Sequence, residues 1–191
     1  MFSQRPHKPE FSVLIPAYRS ADCVGDAIAS LKRQSWQDFE AIVWDDGSDD
    51  STWESAVAAA GSDPRFLIRR SERNEGVGVA LNHAIALARG NWIARLDADD
   101  EYADDYLEER ARWIVKRPDV ACFYGGMQVI GGPDVVPDAT APDRWIPISE
   151  TCQGPTIVIR ADLLRQMEGF PRLRYGEDYA LLERVRASAA S

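Results

Sequence analysis

Three carboxylates, Asp97, Asp99 and Asp100, fall within four positions at the end of the apolar run Trp92-Ile93-Ala94-Arg95-Leu96. Like charges this close repel one another, so the cluster costs free energy unless a cation or a hydrogen-bonding ligand compensates it. Asp97 and Asp99 share a face of an extended chain, because side chains two residues apart point the same way. Oxygen-only donors suit a hard cation, Mg2+ or Mn2+, which takes a few protein carboxylates and completes its shell with water and substrate phosphates. A metal held across a diphosphate would neutralise the charge that develops as that group leaves. Alone, a D-x-D pattern arises often by chance, and a solvated acidic turn explains it as well.

Two further acidic groups narrow the choice. Asp45-Asp46-Gly47-Ser48-Asp49-Asp50 follows the apolar run 39–44, and Glu177-Asp178 follows Gly169-Phe170-Pro171 and Gly176. Asp49 and Asp50 have turn and cap formation as their plainer reading, since Asp is favoured in such turns. For Glu177 and Asp178 the plainer reading is a favourable dipole at the start of a helix over 179–187. His83 reads as a packing or surface residue of its helix, and His7 is equally bland.

The elements that must carry these residues are read from periodicity. Residues 11–15 form an apolar strand stopping at Pro16, and 20–34 carry helical spacing through Val24, Ile28 and Leu31. The step repeats as a strand over 39–44 and an Ala-rich helix capped by Ser51 and ending near Gly61. A strand over 66–69, a helix over 77–88 stopped by Gly90, and a strand over 91–96 follow. Strands alternating with helices imply a parallel sheet covered on both faces, with ligands at the carboxyl ends of the strands. Both aspartate-rich segments sit at such ends.

Further along, a helix over 103–116 ends before Pro118, and strands over 120–124 and 127–130 are joined by a hairpin at Gly125-Gly126. Residues 131–151 hold four prolines and little periodicity, which predicts a surface loop. A strand over 157–160 and a helix over 161–167 complete the pattern. The expected fold class is α/β, a Rossmann-like sandwich whose central sheet is mixed in its later part.

Composition excludes other classes. The 191 residues suit one domain, 1–191, with a tail over 1–10 and no linker. Hydrophobic residues at 45% and charged ones at 28% describe a folded chain rather than a disordered one. A net charge of -9 without a basic run argues against nucleic acid as a partner. Cys23, Cys122 and Cys152 are odd in number and far from C-x-x-C spacing, which predicts reduced thiols and a cytoplasmic location. The first ten residues have no apolar signal-peptide core, so membrane contact is expected to be peripheral at most. Gly76-Val77-Gly78 lacks the third glycine of a dinucleotide fingerprint, and neither a phosphate-binding G-x-x-x-x-G-K-[ST] nor H-E-x-x-H occurs.

The segments Ser12-Val13-Leu14-Ile15-Pro16-Ala17-Tyr18, Trp44-Asp45-Asp46-Gly47-Ser48, Leu96-Asp97-Ala98-Asp99-Asp100 and Gly176-Glu177-Asp178-Tyr179 together resemble the ordered motifs of family two glycosyltransferases with a GT-A fold. The resemblance runs from about residue 11 to about 185. It implies a nucleotide-diphospho-sugar donor, UDP-linked, and a saccharide or lipid-linked saccharide acceptor, in polysaccharide or glycoconjugate assembly. It places Pro16, Ala17 and Tyr18 along the nucleotide, Asp46 as acceptor of a hydrogen bond from its base, Asp45 in support, and Asn74 and Gly76 near phosphate or base. It puts Asp97 near the ribose or sugar, Asp99 on Mn2+ or Mg2+, Asp100 behind it, and Glu177 with Asp178 as the late acidic pair whose aspartate is the catalytic base. A base is required because an acceptor hydroxyl is a poor nucleophile.

Two departures stand out. Leu81 occupies a position where the resemblance leads one to expect arginine, and the chain stops about a dozen residues after Asp178, where relatives continue. The chain is therefore expected to be either a minimal enzyme or a fragment. Two rival readings stay open: a nucleotide-sugar-binding domain without transfer, and a sugar-phosphate nucleotidyltransferase, whose glycine-rich, arginine-containing loop residues 16–20 do not supply.

Overall fold

The computed structural model describes residues 7–130, 132–133, 135–138, 141–148, 154–173 and 176–189. Cys152 and the first six residues of the expected tail lie outside them, as do 131, 134, 139–140 and 149–151 of the expected loop.

Strands β1 (Phe11–Ala17), β2 (Phe39–Asp45), β3 (Phe66–Arg70) and β4 (Trp92–Arg95) alternate with helices α1 (Val24–Lys32), α2 (Thr52–Ala60) and α3 (Val77–Leu87). Helix α4 (Tyr106–Lys116) precedes β5 (Cys122–Phe123), β6 (Val135–Asp138) and β7 (Ala141–Pro147). A 3-10 turn at Gly154–Thr156 leads into β8 (Val158–Arg160), α5 (Ala161–Gln166) and α6 (Glu177–Ala189). The main sheet runs β3-β2-β1-β4-β8-β5. Its first four strands are parallel and β8 is antiparallel to both neighbours, so the sheet is mixed as expected.

Alternation along β1 builds two cores. Val13 and Ile15 meet Ile28 and Leu31 of α1 and Leu107 of α4 on one face, while Leu14 meets Leu81 and Ile85 of α3 with Leu164 and Leu181 on the other. Full burial of each such side chain stabilises the fold by about 1.5–3 kcal/mol.

Three expectations are corrected. Residues 127–130 form no strand, and Cys122 and Phe123 pair instead with Ile159 and Val158, so Gly125-Gly126 does not close a hairpin. Part of the stretch expected as a loop is a two-stranded antiparallel ribbon, β6 with β7. Ser51 occupies the cap position of α2 without a side-chain bond; Asp50 Oδ1 accepts from the Thr52 backbone N–H at 3.0 Å in its place.

Candidate functional site

The carboxyl ends of β1, β2 and β4 meet on one edge. Ala17 is in register with Asp45, its carbonyl accepts from Asp46 N–H at 2.8 Å, and Leu96 N–H donates to the Leu14 carbonyl at 3.0 Å. Pro16 is half-buried and Ala17 buried, while Tyr18 is exposed with the Arg19 guanidinium 5.3 Å from its ring centre.

The two aspartates ending β2 face inward. Asp45 accepts from Ser48 N–H at 2.9 Å and has Arg70 Nε 3.1 Å away. Asp46 is 3% exposed, and its oxygens accept backbone N–H groups of Glu75 at 3.1 Å and Gly76 at 2.7 Å. A buried carboxylate needs such donors, so Asp46 has an internal task besides the base contact expected of it: anchoring the turn that opens α3. Asn74 Oδ1 also accepts from Gly76 N–H, at 3.0 Å. The turn lies tight because Gly47, with a φ of 69°, has no Cβ: one there would come within 2.6 Å of Arg73 Cα. His83 stacks on Trp44 with ring centres 4.8 Å apart, a surface packing role. Asp50 accepts from Thr52 N–H at the start of α2, as its plainer reading anticipated, whereas the Asp49 side chain pairs with Arg19 through two 2.8 Å bonds instead.

At the end of β4, Asp97 is held by Arg95 through Nε at 2.6 Å and NH2 at 3.0 Å. Asp99 is exposed and has no hydrogen-bond or ion-pair partner among the described residues. Asp100 is half-buried, and burial, reinforced by the charges of Asp97 and Asp99, pushes its carboxyl up to about 6. Negative charge therefore remains uncompensated around Asp99, which fits a hard cation. Among the described residues no three of Asp, Glu, His and Cys converge as a ready-made cage. An ion here would take most of its ligands from substrate and water, the habit of Mg2+.

The late acidic pair opens α6 two residues earlier than expected. Glu177 is buried, and its Oε1 accepts from Arg95 NH1 at 2.8 Å. Asp178 is half-buried, and its Oδ1 accepts from Tyr179 N–H at 2.7 Å. Arg95 thus ties two of the three acidic groups together. In the sequence its one signal is a charge inside the apolar run Trp92 to Leu96, since a buried arginine must be paired. Burial alone would lower its pKa, but Asp97 and Glu177 outweigh that and raise it. A cavity of about 480 Å3 is lined by Asn82, Phe170, Pro171, Arg165, Arg172 and Arg184, and by none of the acidic residues above.

Known proteins are similar to this chain in sequence and in fold. The chain is 39% identical over 128 residues to the succinoglycan biosynthesis protein ExoO of Rhizobium meliloti, covering 67% of this chain and 34% of that one. It is 29% identical over 133 residues to the UDP-Glc:alpha-D-GlcNAc-diphosphoundecaprenol beta-1,3-glucosyltransferase WfgD of Escherichia coli, covering 70% of this chain and 51% of that one. Its fold matches S. aureus TarS 1-349 in complex with UDP-GlcNAc with a TM-score of 0.73 and 26% identity, over 88% of this chain and 51% of that one. The chain thus spans about a third to a half of the length of these proteins. Residues 12–149, which carry the ends of β1, β2 and β4, match the model of glycosyl transferase family 2, and the chain belongs to that family.

Proposed function

We propose that this chain transfers a sugar from a nucleotide-diphospho-sugar, UDP-linked, to a hydroxyl of a saccharide or lipid-linked saccharide, with inversion at the anomeric carbon. The observation that carries this reading is the convergence of the Asp46 turn, the Asp97–Asp100 strand end and the Glu177-Asp178 helix start on one sheet edge. Support for the donor comes from the UDP-GlcNAc complex of TarS, and for the acceptor from the diphosphoundecaprenol-linked substrate in the name of WfgD.

In this mechanism Pro16, Ala17 and Tyr18 border the nucleotide, and Asp46 holds the Asn74–Gly76 turn against its base. Asp97 orients the ribose or sugar. Asp99 would hold Mn2+ or Mg2+, which when bound supplies charge neutralisation at the diphosphate. Asp178 accepts the proton of the attacking hydroxyl, whose oxygen reaches the anomeric carbon opposite the leaving nucleoside diphosphate. Glu177, tied to Arg95, belongs with the structure that places this base rather than with the groups that touch substrate. No helix among the described residues is long and apolar enough to cross a membrane. The free thiols of Cys23 and Cys122 support a cytoplasmic setting, with contact to a lipid-linked acceptor at most peripheral.

The test is transfer with UDP-sugars and Mn2+. Asp178→Asn is expected to lower kcat by about 10²–10⁴ while nucleotide binding persists. Binding without turnover in the unmutated chain would favour a nucleotide-sugar-binding domain instead.

A further inference from the structure

Arg95 is buried at the last position of β4, between two carboxylates that lie 80 positions apart in the chain: Asp97 on the strand end and Glu177 at the head of α6. Its Nε and NH2 serve Asp97 and its NH1 serves Glu177, so a planar fork is used on two sides at once. The guanidinium has little room to move. A Cβ at Gly154 would lie 2.5 Å from NH1 and 2.6 Å from Cζ, and the Arg95 carbonyl accepts from the Tyr102 hydroxyl at 2.5 Å.

A buried ion pair is weak evidence for stability, since well-packed apolar residues of similar volume often serve as well. What such a group does supply is a fixed geometry between the parts it joins. Here those parts are the donor-side strand end and the first turn of the helix that carries Asp178. Lysine would not substitute, because an ammonium cannot present the same flat, multi-donor fork.

We propose that Arg95 is a positioning residue which, acting through Glu177, sets the Asp178 carboxylate at its working distance from the donor held by Asp97 and Asp99. The proposal rests on the reading of Asp178 as the base. A misplacement of about 1 Å in such a constellation costs up to roughly 10²-fold in rate.

The experiment compares the unmutated chain with Glu177→Gln, Arg95→Met, Arg95→Lys and the double variant Arg95→Met/Glu177→Gln. It measures kcat for transfer, nucleotide affinity with Mn2+, and melting temperature, with rates taken well below the melting transition. Glu177→Gln is expected to lower kcat by roughly 10- to 100-fold while nucleotide affinity stays within about twofold, because only the acceptor side is released. Arg95→Met is expected to weaken both, Arg95→Lys to recover only part, and the double variant to be no slower than Arg95→Met. If Arg95→Met fails to fold, the split in Glu177→Gln alone decides. Normal kcat in Glu177→Gln with only a lowered melting temperature, or rate losses that multiply in the double variant, would overturn the proposal. Absence of turnover in the unmutated chain would sink the base assignment itself, and the proposal with it, a result distinct from turnover that ignores Glu177.

Discussion

Asp99 and Asp100 are neighbours with different surroundings, and the difference is measurable. Asp100 titrates near 6 rather than at its ordinary 3.8, through burial first and then the charges of Asp97 and Asp99. A carboxyl whose pKa rises on folding makes the folded state bind more protons between the two values, so its contribution to stability falls as pH climbs from about 4 to about 6. Asp49 and Asp63, paired with Arg19 and Arg65, titrate below their ordinary value, so their contribution is fully present by pH 5 and does not mask the step. The melting temperature without metal is therefore expected to carry a downward component between pH 5 and about pH 6 that Asp100→Asn removes. Mn2+ is expected to raise the melting temperature more at pH 7 than at pH 5, and an equal rise at both would contradict this account. Asp99→Asn should abolish most of that rise. At this scale the D-x-D pair and the late acidic pair were legible because their types and order were. Arg95 was not assigned, because its second partner, Glu177, becomes a neighbour only once β4 and α6 are packed.

Among the elements, the turn that Asp46 anchors is set by Gly47. Its φ of 69° is strained for any residue with a Cβ, at about 1–2 kcal/mol, and an added methyl would also press on the Arg73 and Asn74 backbone. Gly47→Ala is expected to lower the melting temperature and to weaken nucleotide binding together, read by thermal denaturation with and without UDP. On α3, Leu81 is fully buried in the core beneath the sheet. Leu81→Arg, which restores the residue the family resemblance leads one to expect, would bury a charge at a cost of several kcal/mol; it should unfold the protein at lower denaturant rather than add a donor contact. Helices and parallel strands were legible from their periods. The short runs were not: residues 127–130 look like a strand, but β5 finds its partner in β8, a choice no local pattern encodes. Prolines suggested a loop over 131–151, yet Pro137 and Pro147 sit in a two-stranded ribbon, where an edge tolerates a missing N–H.

Taken whole, the molecule places its parallel strands β3, β2, β1 and β4 so that three loops open on one edge, while β8 and β5 extend the sheet antiparallel on the far side of β4. Strand and helix alternation made the first half legible; the mixed half depends on a chain return that periodicity only hinted at. A ligand bound by the folded state alone raises apparent stability, by about 2.7 kcal/mol at a hundred times its Kd. With Mn2+ present, UDP is therefore expected to raise the melting temperature more than GDP does, and a larger shift with GDP would redirect the donor assignment. The crowding of Gly154 against the Arg95 guanidinium has a consequence that reaches beyond this one chain. If those two positions and 177 form a single mechanical unit, evolution must change them together. Related sequences that carry a side chain at the position of Gly154 should lack arginine at that of Arg95, and those without the arginine should be released from keeping an acid at that of Glu177.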